Sequence, residues 1–594
     1  MSLRAPRFLQ RWVPMAEWLP SYRAADFSGD AIAGIIVAIM LVPQAMAYAM
    51  LAGLPAQVGL YASILPLFLY GVFGTSRTLA VGPVAIVSLL TASAIHRLAP
   101  EGGGNALAVA LTLAALVGAM MLPMGIARLG FLTNFLSHPV IKGFTSAAAL
   151  IIALSQLKHL LGLQIPHTER THELIANLAG KLGATNLVAL GMGVTAIALL
   201  LVMDKKGEPL LRKSGVPEAV AAPLARVGPL LVVVLGTVLV AMARLDESAG
   251  LKTVGHVAAG LPPFSVPYLG WERLQPLLGA AVAIAFVGYM ESISVAKTLA
   301  SKRRQNVDPD RELVALGMAN LGAAFTSGYA VTGGFSRSVV NFAAGAKTPL
   351  ASIITALLVV LTVTALTPLF YFVPQAVLAG IIVVAVAGLI DLEAPRRLWH
   401  YSKADFASFI LTFAVVLSVG VEVGVAIGGG AALPLFLWRS SRPHIAVLGR
   451  IKDTEHFRNV RRHPVLTCPE VLVVRVDESL YFANARFLED HLLRLVAEHH
   501  DVKQLVLDCS AINHIDSSAL ETLEKLVEQL RDSGVGFHLA AVKGPIMDRL
   551  ERTGFPGRVG RECIHLDLDD AMEAIGCTSG DLVEQDASIH PAAA

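Results

Sequence analysis

Four side chains stand where apolar surroundings should tolerate no polar group. Arg337 lies inside Tyr329–Ser338, YAVTGGFSRS, and Glu291 lies deep in the apolar run Ala281–Ala300. Gln44 and Tyr48 follow Pro43 within Ile32–Leu51 and, four apart, share one helix face. An unpaired arginine in mid-bilayer costs somewhere between ~3 and ~15 kcal/mol, so it needs a partner, either an anion or a fixed carboxylate. A carboxyl in such surroundings trades its charge for a proton. Together they outline anion binding coupled to a proton. The competing structural expectation is a permanent Glu291–Arg337 or Glu291–Lys297 ion pair, with Gln44 a buried amide satisfied beside a proline kink.

Two matched stretches supply the rest of such a site. Leu79–Ser88 reads LAVGPVAIVS, and Tyr329–Ser338 follows it 250 residues later. Each passes through a break, Gly82–Pro83 in one and Gly333–Gly334 in the other, and then enters a short apolar or hydroxylated helix. Paired, interrupted short segments in two halves of a membrane protein mark a transporter's binding site. A helix beginning near Val84 and Ala85, and another at Phe335 and Ser336, would each present unpaired N–H groups worth roughly +0.5 charge. With Arg337 the sum is about +2, matched to a divalent anion. Ser336 and Ser338 add hydroxyl donors.

These groups need a scaffold. The chain has 594 residues, 55% hydrophobic and 15% charged, a polytopic membrane composition. Fourteen apolar segments are expected, seven between residues 30 and 243 and seven between 271 and 438. Several are shorter than the ~20 residues a crossing helix needs. Pro43 should break or bend its helix. With the N-terminus cytoplasmic, Arg77, Arg128, Lys205–Lys206, Lys302–Arg304, Lys347, Arg396–Arg397 and Arg439 all fall in cytoplasmic loops. The opposite loops, around Glu101–Gly104, His167–His172 and Asp246–Gly260, are poorer in Lys and Arg. This bias predicts an even number of spans with both ends cytoplasmic.

Charge divides the chain again. Residues 451–594 hold 15 Lys/Arg against 25 Asp/Glu, a net of −10, and residues 1–450 hold 32 against 20, a net of +12. A basic membrane part and an acidic soluble part follow, with nucleic acid as a partner of neither. In the soluble part Val471–Val476, Gln504–Leu507 and Gly536–Ala541 read as strands. Arg486–Ala497, Ser517–Arg531 and Gly544–Arg552 read as helices, giving an α/β domain. Asp516 suits the N-cap of the helix at Ser517. Cys468, Cys509, Cys563 and Cys577 match no metal spacing, and no metal or catalytic triad is expected. Expected boundaries are a basic cytoplasmic leader at 1–28, a transport domain at 29–440, a linker at 441–460, the soluble domain at 461–577 and a disordered tail at 578–594.

LVPQAMAYA (41–49), VGPVAIVS (81–88), MESISVAK (290–297) and TGGFSRSVVN (332–341) resemble the SulP/SLC26 anion transporters. SLYFANA (479–485) and LDCSAINHIDSSAL (507–520) resemble their STAS domain. The resemblance spans essentially the whole chain. It implies a polytopic α-helical membrane protein with 14 transmembrane segments in two inverted sevens. These divide into a core and a gate, as in the nucleobase transporters of the same fold, followed by an α/β STAS domain. Homodimers with an elevator motion are implied too. Carried over by residue, the anion pocket would use Gln44, Tyr48, Val84, Ala85, Phe335, Ser336 and Arg337. Glu291 matches the acid of proton-coupled members. Sodium–bicarbonate members carry Asp there with Thr four residues on, whereas this chain has Glu291 and Val295.

The function so implied is secondary active transport of sulfate by proton symport across the plasma (bacterial inner) membrane, not an enzymatic reaction and without a cofactor. Bicarbonate or a C4-dicarboxylate is the alternative cargo, and sodium the alternative co-ion. A nucleobase carrier disagrees with Arg337. A membrane-bound signalling protein, recruiting a cytoplasmic partner through STAS, is the reading from another class. In free-standing STAS regulators a serine in this loop is phosphorylated, which makes Ser517 and Ser518 the regulatory candidates.

Overall fold

In a computed structural model, residues 13–99, 104–131, 137–165, 171–214, 227–268, 270–577 and 582–585 are described. Expectations that fall on the first twelve residues, on Gly102 and Gly103, on 166–170 and on 586–594 lie outside them. The chain forms two compact units, Met1–Ala432 and Leu433–Ala594.

The first unit is helical. Its first set comprises α1 (Ala24–Leu51), α2 (Leu65–Phe73), the two-residue strand β1 (Val81–Gly82), α3 (Ala85–Leu98), α4 (Gly104–Ile126), α5 (His138–Leu160), α6 (Leu187–Lys213) and α7 (Gly228–Ala243). The second repeats the pattern with α8 (Trp271–Lys302), α9 (Pro309–Phe325), strand β2 (Thr332–Gly333), α10 (Phe335–Ala343), α11 (Leu350–Leu361), α12 (Gln375–Ala387), α13 (Lys403–Ser418) and α14 (Val421–Ser440). In both sets a strand precedes the third helix. Among the described residues, seven helices are long and apolar enough to cross a membrane, and α3, α7 and α12 are apolar but shorter. Pro43 does not break its helix, since α1 runs from Ala24 to Leu51 through it. The proline withholds only the N–H that would serve the Ile39 carbonyl, and packed neighbours let a helix tolerate that loss.

Packing sorts the helices. The early helices of each set lie together: α9 along α4 and α2, α11 along α1 and α2, and α8 along α4. The later ones form another group, with α5 on α12 and α13, and α6 on α12 and α7. Close approach of α4 and α9 depends on Gly118 and Gly317. A Cβ at Gly118 would lie 2.8 Å from the Gly317 oxygen, and one at Gly317 would lie 2.9 Å from Leu122 N. Without a hydrophobic driving force between helices in lipid, such small-residue contacts supply the packing.

The second unit holds β3 (Ile445–Arg450), β4 (Phe457–Asn459), β5 (Val465–Thr467), β6 (Val471–Val476), α15 (Ala485–Glu498), β7 (Gln504–Asp508), α16 (Ser517–Asp532), β8 (Gly536–Ala540), α17 (Gly544–Arg552), β9 (Ile564–His565), α18 (Leu568–Ile575) and β10 (Val583–Gln585). The sheet order is β10-β5-β3-β6-β7-β8-β9, with β4 beside β3. From β6 to β9 the strands are parallel, and β3 joins β6 antiparallel. Alternation assigns the faces. Leu472, Val474, Leu505 and Leu507 pack with Leu488, Leu492, Leu523 and Leu526 of α15 and α16, whereas Val471, Val473 and Val506 pack with Ala571 and Met572 of α18. Two expectations need correction. Residues 441–460 are not a linker, since β3 and β4 lie there and β3 pairs with β6. Within 578–594, Val583–Gln585 is no disordered tail but pairs antiparallel with Val465–Thr467. β4 and β10, of three residues each, are too short for periodicity to reveal, and β3 and β10 are fixed by ladder partners distant in sequence.

Candidate functional site

The two matched stretches meet. β1 and β2 pair antiparallel, Val81 opposite Gly333 and Gly82 opposite Thr332. Gly334 N–H adds a bond to the Ala80 oxygen at 3.0 Å. The short helices α3 and α10 start immediately after this crossing, at Ala85 and Phe335. Neither has a side-chain cap for its first N–H groups.

Arg337, in the first turn of α10, is 2% exposed. Its guanidinium lies against both glycine breaks. A Cβ at Gly334 would stand 2.8 Å from Nη2, and one at Gly82, where φ is +152°, would stand 3.5 Å from it. At Gly334 the guanidinium leaves no room for a side chain, and at Gly82 the positive φ favours glycine. Nη1 donates to Gln44 Oε1 across a long 3.4 Å, while Nε and Nη2 are buried without any hydrogen-bond partner. Glu291 Oε2 is likewise buried and unpartnered. Tyr48, Glu291 and Tyr329 all act electrostatically on Arg337. Among the described residues no ion pair joins Glu291 to Arg337 or to Lys297, so the permanent-pair expectation finds no contact. Lys142, at the start of α5, closes on Asp391 at 2.7 Å.

The remaining sequence candidates divide by exposure. Gln44, Tyr48, Val84 and Ala85 are buried beside this centre. Phe335 is 54% exposed and Ser336 is exposed, whereas Arg337 is buried. Ser338 is not a free donor, because it donates to the Gly334 oxygen at 2.7 Å and accepts from Ala80 N–H at 2.9 Å.

Residues that the sequence did not single out hold the crossing in place. On α8, beside Glu291, Ser292 donates to the Gly288 oxygen at 2.7 Å, accepts from Gly333 N–H at 2.8 Å and meets Thr332 Oγ1 at 2.7 Å. Tyr329 Oη meets Ser88 Oγ at 2.9 Å. Asn320 returns the backbone of Val331 through both its amide atoms, at 2.9 and 3.0 Å. Two fully buried carboxylates fix the loops behind the short helices. Glu312 accepts from Tyr70 Oη, from Thr75 N–H and Oγ1, and from Ser76 N–H at 2.6–2.9 Å. Asp30 accepts from Lys347 and Thr348 N–H at 2.6 and 3.0 Å and from Thr348 Oγ1 at 2.7 Å.

In the second unit Asp516 caps α16 by accepting from Ala519 N–H at 2.8 Å, and it also accepts from Phe482 N–H at 2.9 Å. Ser517 and Ser518 are exposed beside it. No group of three or more His, Cys, Asp and Glu side chains suited to a metal occurs among the described residues.

The chemistry of the centre is therefore that of a buried cationic cradle. A guanidinium with two unpartnered nitrogens and two helices without side-chain caps meet there, with one carboxyl at its edge. Comparison with known proteins gives the family. Residues 27–412 match the model of the sulfate permease family, and residues 464–571 match that of the STAS domain. The chain is 36% identical over 583 residues to "Sulfate transporter 4.1, chloroplastic" of Arabidopsis thaliana, covering 96% of this chain and 83% of that one. It is 37% identical over 572 residues to "Probable sulfate transporter 4.2" of the same plant, covering 94% and 83%. Its fold superposes on the murine anion transporter Slc26a9 in the inward-facing state with a TM-score of 0.85, at 26% identity and over 97% and 96% of the two chains.

Proposed function

The chain belongs to the sulfate permease family, a family of membrane transporters rather than enzymes, and we propose that it takes up sulfate by proton symport at the Arg337 centre. One observation carries this. Arg337 is buried with Nε and Nη2 unpartnered where two uncapped helices begin. A fold keeps such a cost only for a ligand that removes it. A sulfate there would accept from Nε and Nη2 and from the first N–H groups of α3 and α10, its two charges balanced by a sum of about +2.

Glu291 sets the coupling. A second negative charge beside the dianion is unfavourable, so loading favours the protonated carboxyl and unloading favours proton release. Alternating access follows an elevator path in which the group of early helices, carrying Arg337, slides against the later group. Homodimerisation, a plasma-membrane location and cytoplasmic termini complete the proposal. The printed names of the relatives, all at 32–37% identity, support sulfate over bicarbonate, as does Val295 where a sodium-coupled site would place a hydroxyl. The test is radiolabelled sulfate uptake by proteoliposomes under an inward proton gradient without sodium. Accumulation that a protonophore collapses is expected. Absence of uptake would refute sulfate as cargo and pass the same assay to bicarbonate and dicarboxylates.

A further inference from the structure

The strongest unexplained cluster lies at the far end of α5. Lys158 and His159 close that helix, Lys252 stands in the segment between α7 and α8, and Gln375 and Ala376 open α12. Together they line one narrow cleft with an open mouth. The Lys252 segment is held there by main-chain bonds. Gln375 N–H donates to the Lys252 oxygen at 3.0 Å, and Val254 N–H donates to the Val373 oxygen at 2.9 Å. Gln375 Nε2 donates to the Thr253 oxygen at 2.9 Å, and the Gln375 side chain also bonds His159.

What sets the cluster apart is the lack of counter-charge. Among the described residues neither ammonium has an ion pair, and no carboxylate is among the charges acting on Lys158, His159 or Lys252. Lys142 at the other end of the same helix, about 24 Å away, has its Asp391. Two like charges crowded beside an imidazole into a half-buried cleft repel one another, and a bound anion would relieve them. Donors arriving from α5 and from the segment after α7 suit an ion with several oxygens. The cleft also lies at the end away from the basic loops of Arg303, Lys347 and Arg397, hence at the outer mouth by the positive-inside bias.

We propose that this cleft is a second anion site, for an oxyanion of the transported class, that collects the ion before it reaches Arg337. A cleft of one charge sign raises local ion concentration and entry rate, an effect that salt screens. The proposal rests on the transport reading, and binding separates the two. Calorimetric titration of detergent-solubilised full-length protein with sodium sulfate should show two sites. Arg337→Gln should leave one, and Lys158→Gln with Lys252→Gln added should remove it. Sulfate binding lost entirely in Arg337→Gln would overturn the second site while upholding the first. Binding that survives Arg337→Gln and the lysine pair together would overturn it as well. In uptake, Lys158→Gln/Lys252→Gln should raise KM roughly 3- to 10-fold at low ionic strength with kcat unchanged, and the difference should shrink in high salt. Lys158→Arg/Lys252→Arg should restore KM. An unchanged KM and salt profile would overturn the role in uptake. Should the double variant not fold, Lys252→Gln alone, outside any helix, carries the same test.

Discussion

Replacing Arg337 by glutamine should make the sulfate-free protein more stable while removing most of its response to sulfate. The side chain is 2% exposed and holds one bond of 3.4 Å to Gln44, with two N–H groups unpartnered. An uncompensated buried charge costs about 3–5 kcal/mol, judged from buried pairs with one partner removed. The bond surrendered is worth about 1.5 kcal/mol at that length. The uncapped starts of α3 and α10 add repulsion of the same sign as the charge. A net gain of about 1.5–3.5 kcal/mol follows from these figures. Binding moves the other way. Two charge-assisted bonds of about 1.5–3 kcal/mol each correspond to roughly 10²–10⁴ in Kd. Thermal unfolding of purified full-length protein, with and without sulfate, measures both. Wild type should melt lower without sulfate and rise with it. Arg337→Gln should start higher and keep only the smaller shift that binding at the Lys158–Lys252 cleft gives. A variant that melts below sulfate-free wild type, or that sulfate stabilises as strongly as wild type, would refute the reasoning.

Other perturbations probe the parts around it. Glu291→Gln should abolish proton-driven accumulation while retaining sulfate exchange, and uptake that still follows the pH gradient would sink the coupling role. Glu312→Ala strands four donors around Thr75 and should cost about 3–5 kcal/mol, seen as reduced folded yield and a lower melting point. An unchanged melting point would show that the loop does not depend on it. In the soluble unit, His538 Nδ1 meets His565 Nε2 at 3.0 Å on adjacent strands. Burial, then the neighbouring ring, holds His538 below its usual 6.5, and burial lowers His565 as well. The folded domain thus binds fewer protons than the unfolded chain, and its stability is lost as pH falls through and below 6.5. Hydrogen exchange of β8 should accelerate on acidification beyond its intrinsic pH dependence, and His538→Gln should blunt that change.

Legibility in the sequence followed the range of the forces involved. Gly82–Pro83, Gly333–Gly334 and the charge of Arg337 are local signals, and they located the crossing of β1 and β2. Helices α15, α16 and α17 and strands β6 to β8 matched within a residue or two, since their periodicity runs long enough to read. Ser292, Thr332 and Asn320 were opaque. A serine four residues after a glycine in an apolar helix ordinarily bonds its own turn, and only the arrival of β2 gives it further work. Asp30 and Glu312 sit in or near first helical turns, where an acid is commonplace, so nothing marked them as buried anchors of loops from the opposite set. The exposure of Phe335 and Ser336 depends on which face α10 turns toward its neighbours, which nine residues do not specify.

The β1–β2 crossing also bears on how the protein is made. Gly82 finds its partner Thr332 only after roughly 250 further residues have left the ribosome, about 12–50 s at ordinary elongation rates. Throughout that interval the backbone of Val81 and Gly82 has no ladder to join, at a depth where lipid offers it no hydrogen bond. The nascent first half must therefore wait with this segment sheltered by water or by the insertion machinery. A chain arrested before Thr332 would keep an open main-chain edge, a ready mark for membrane quality control.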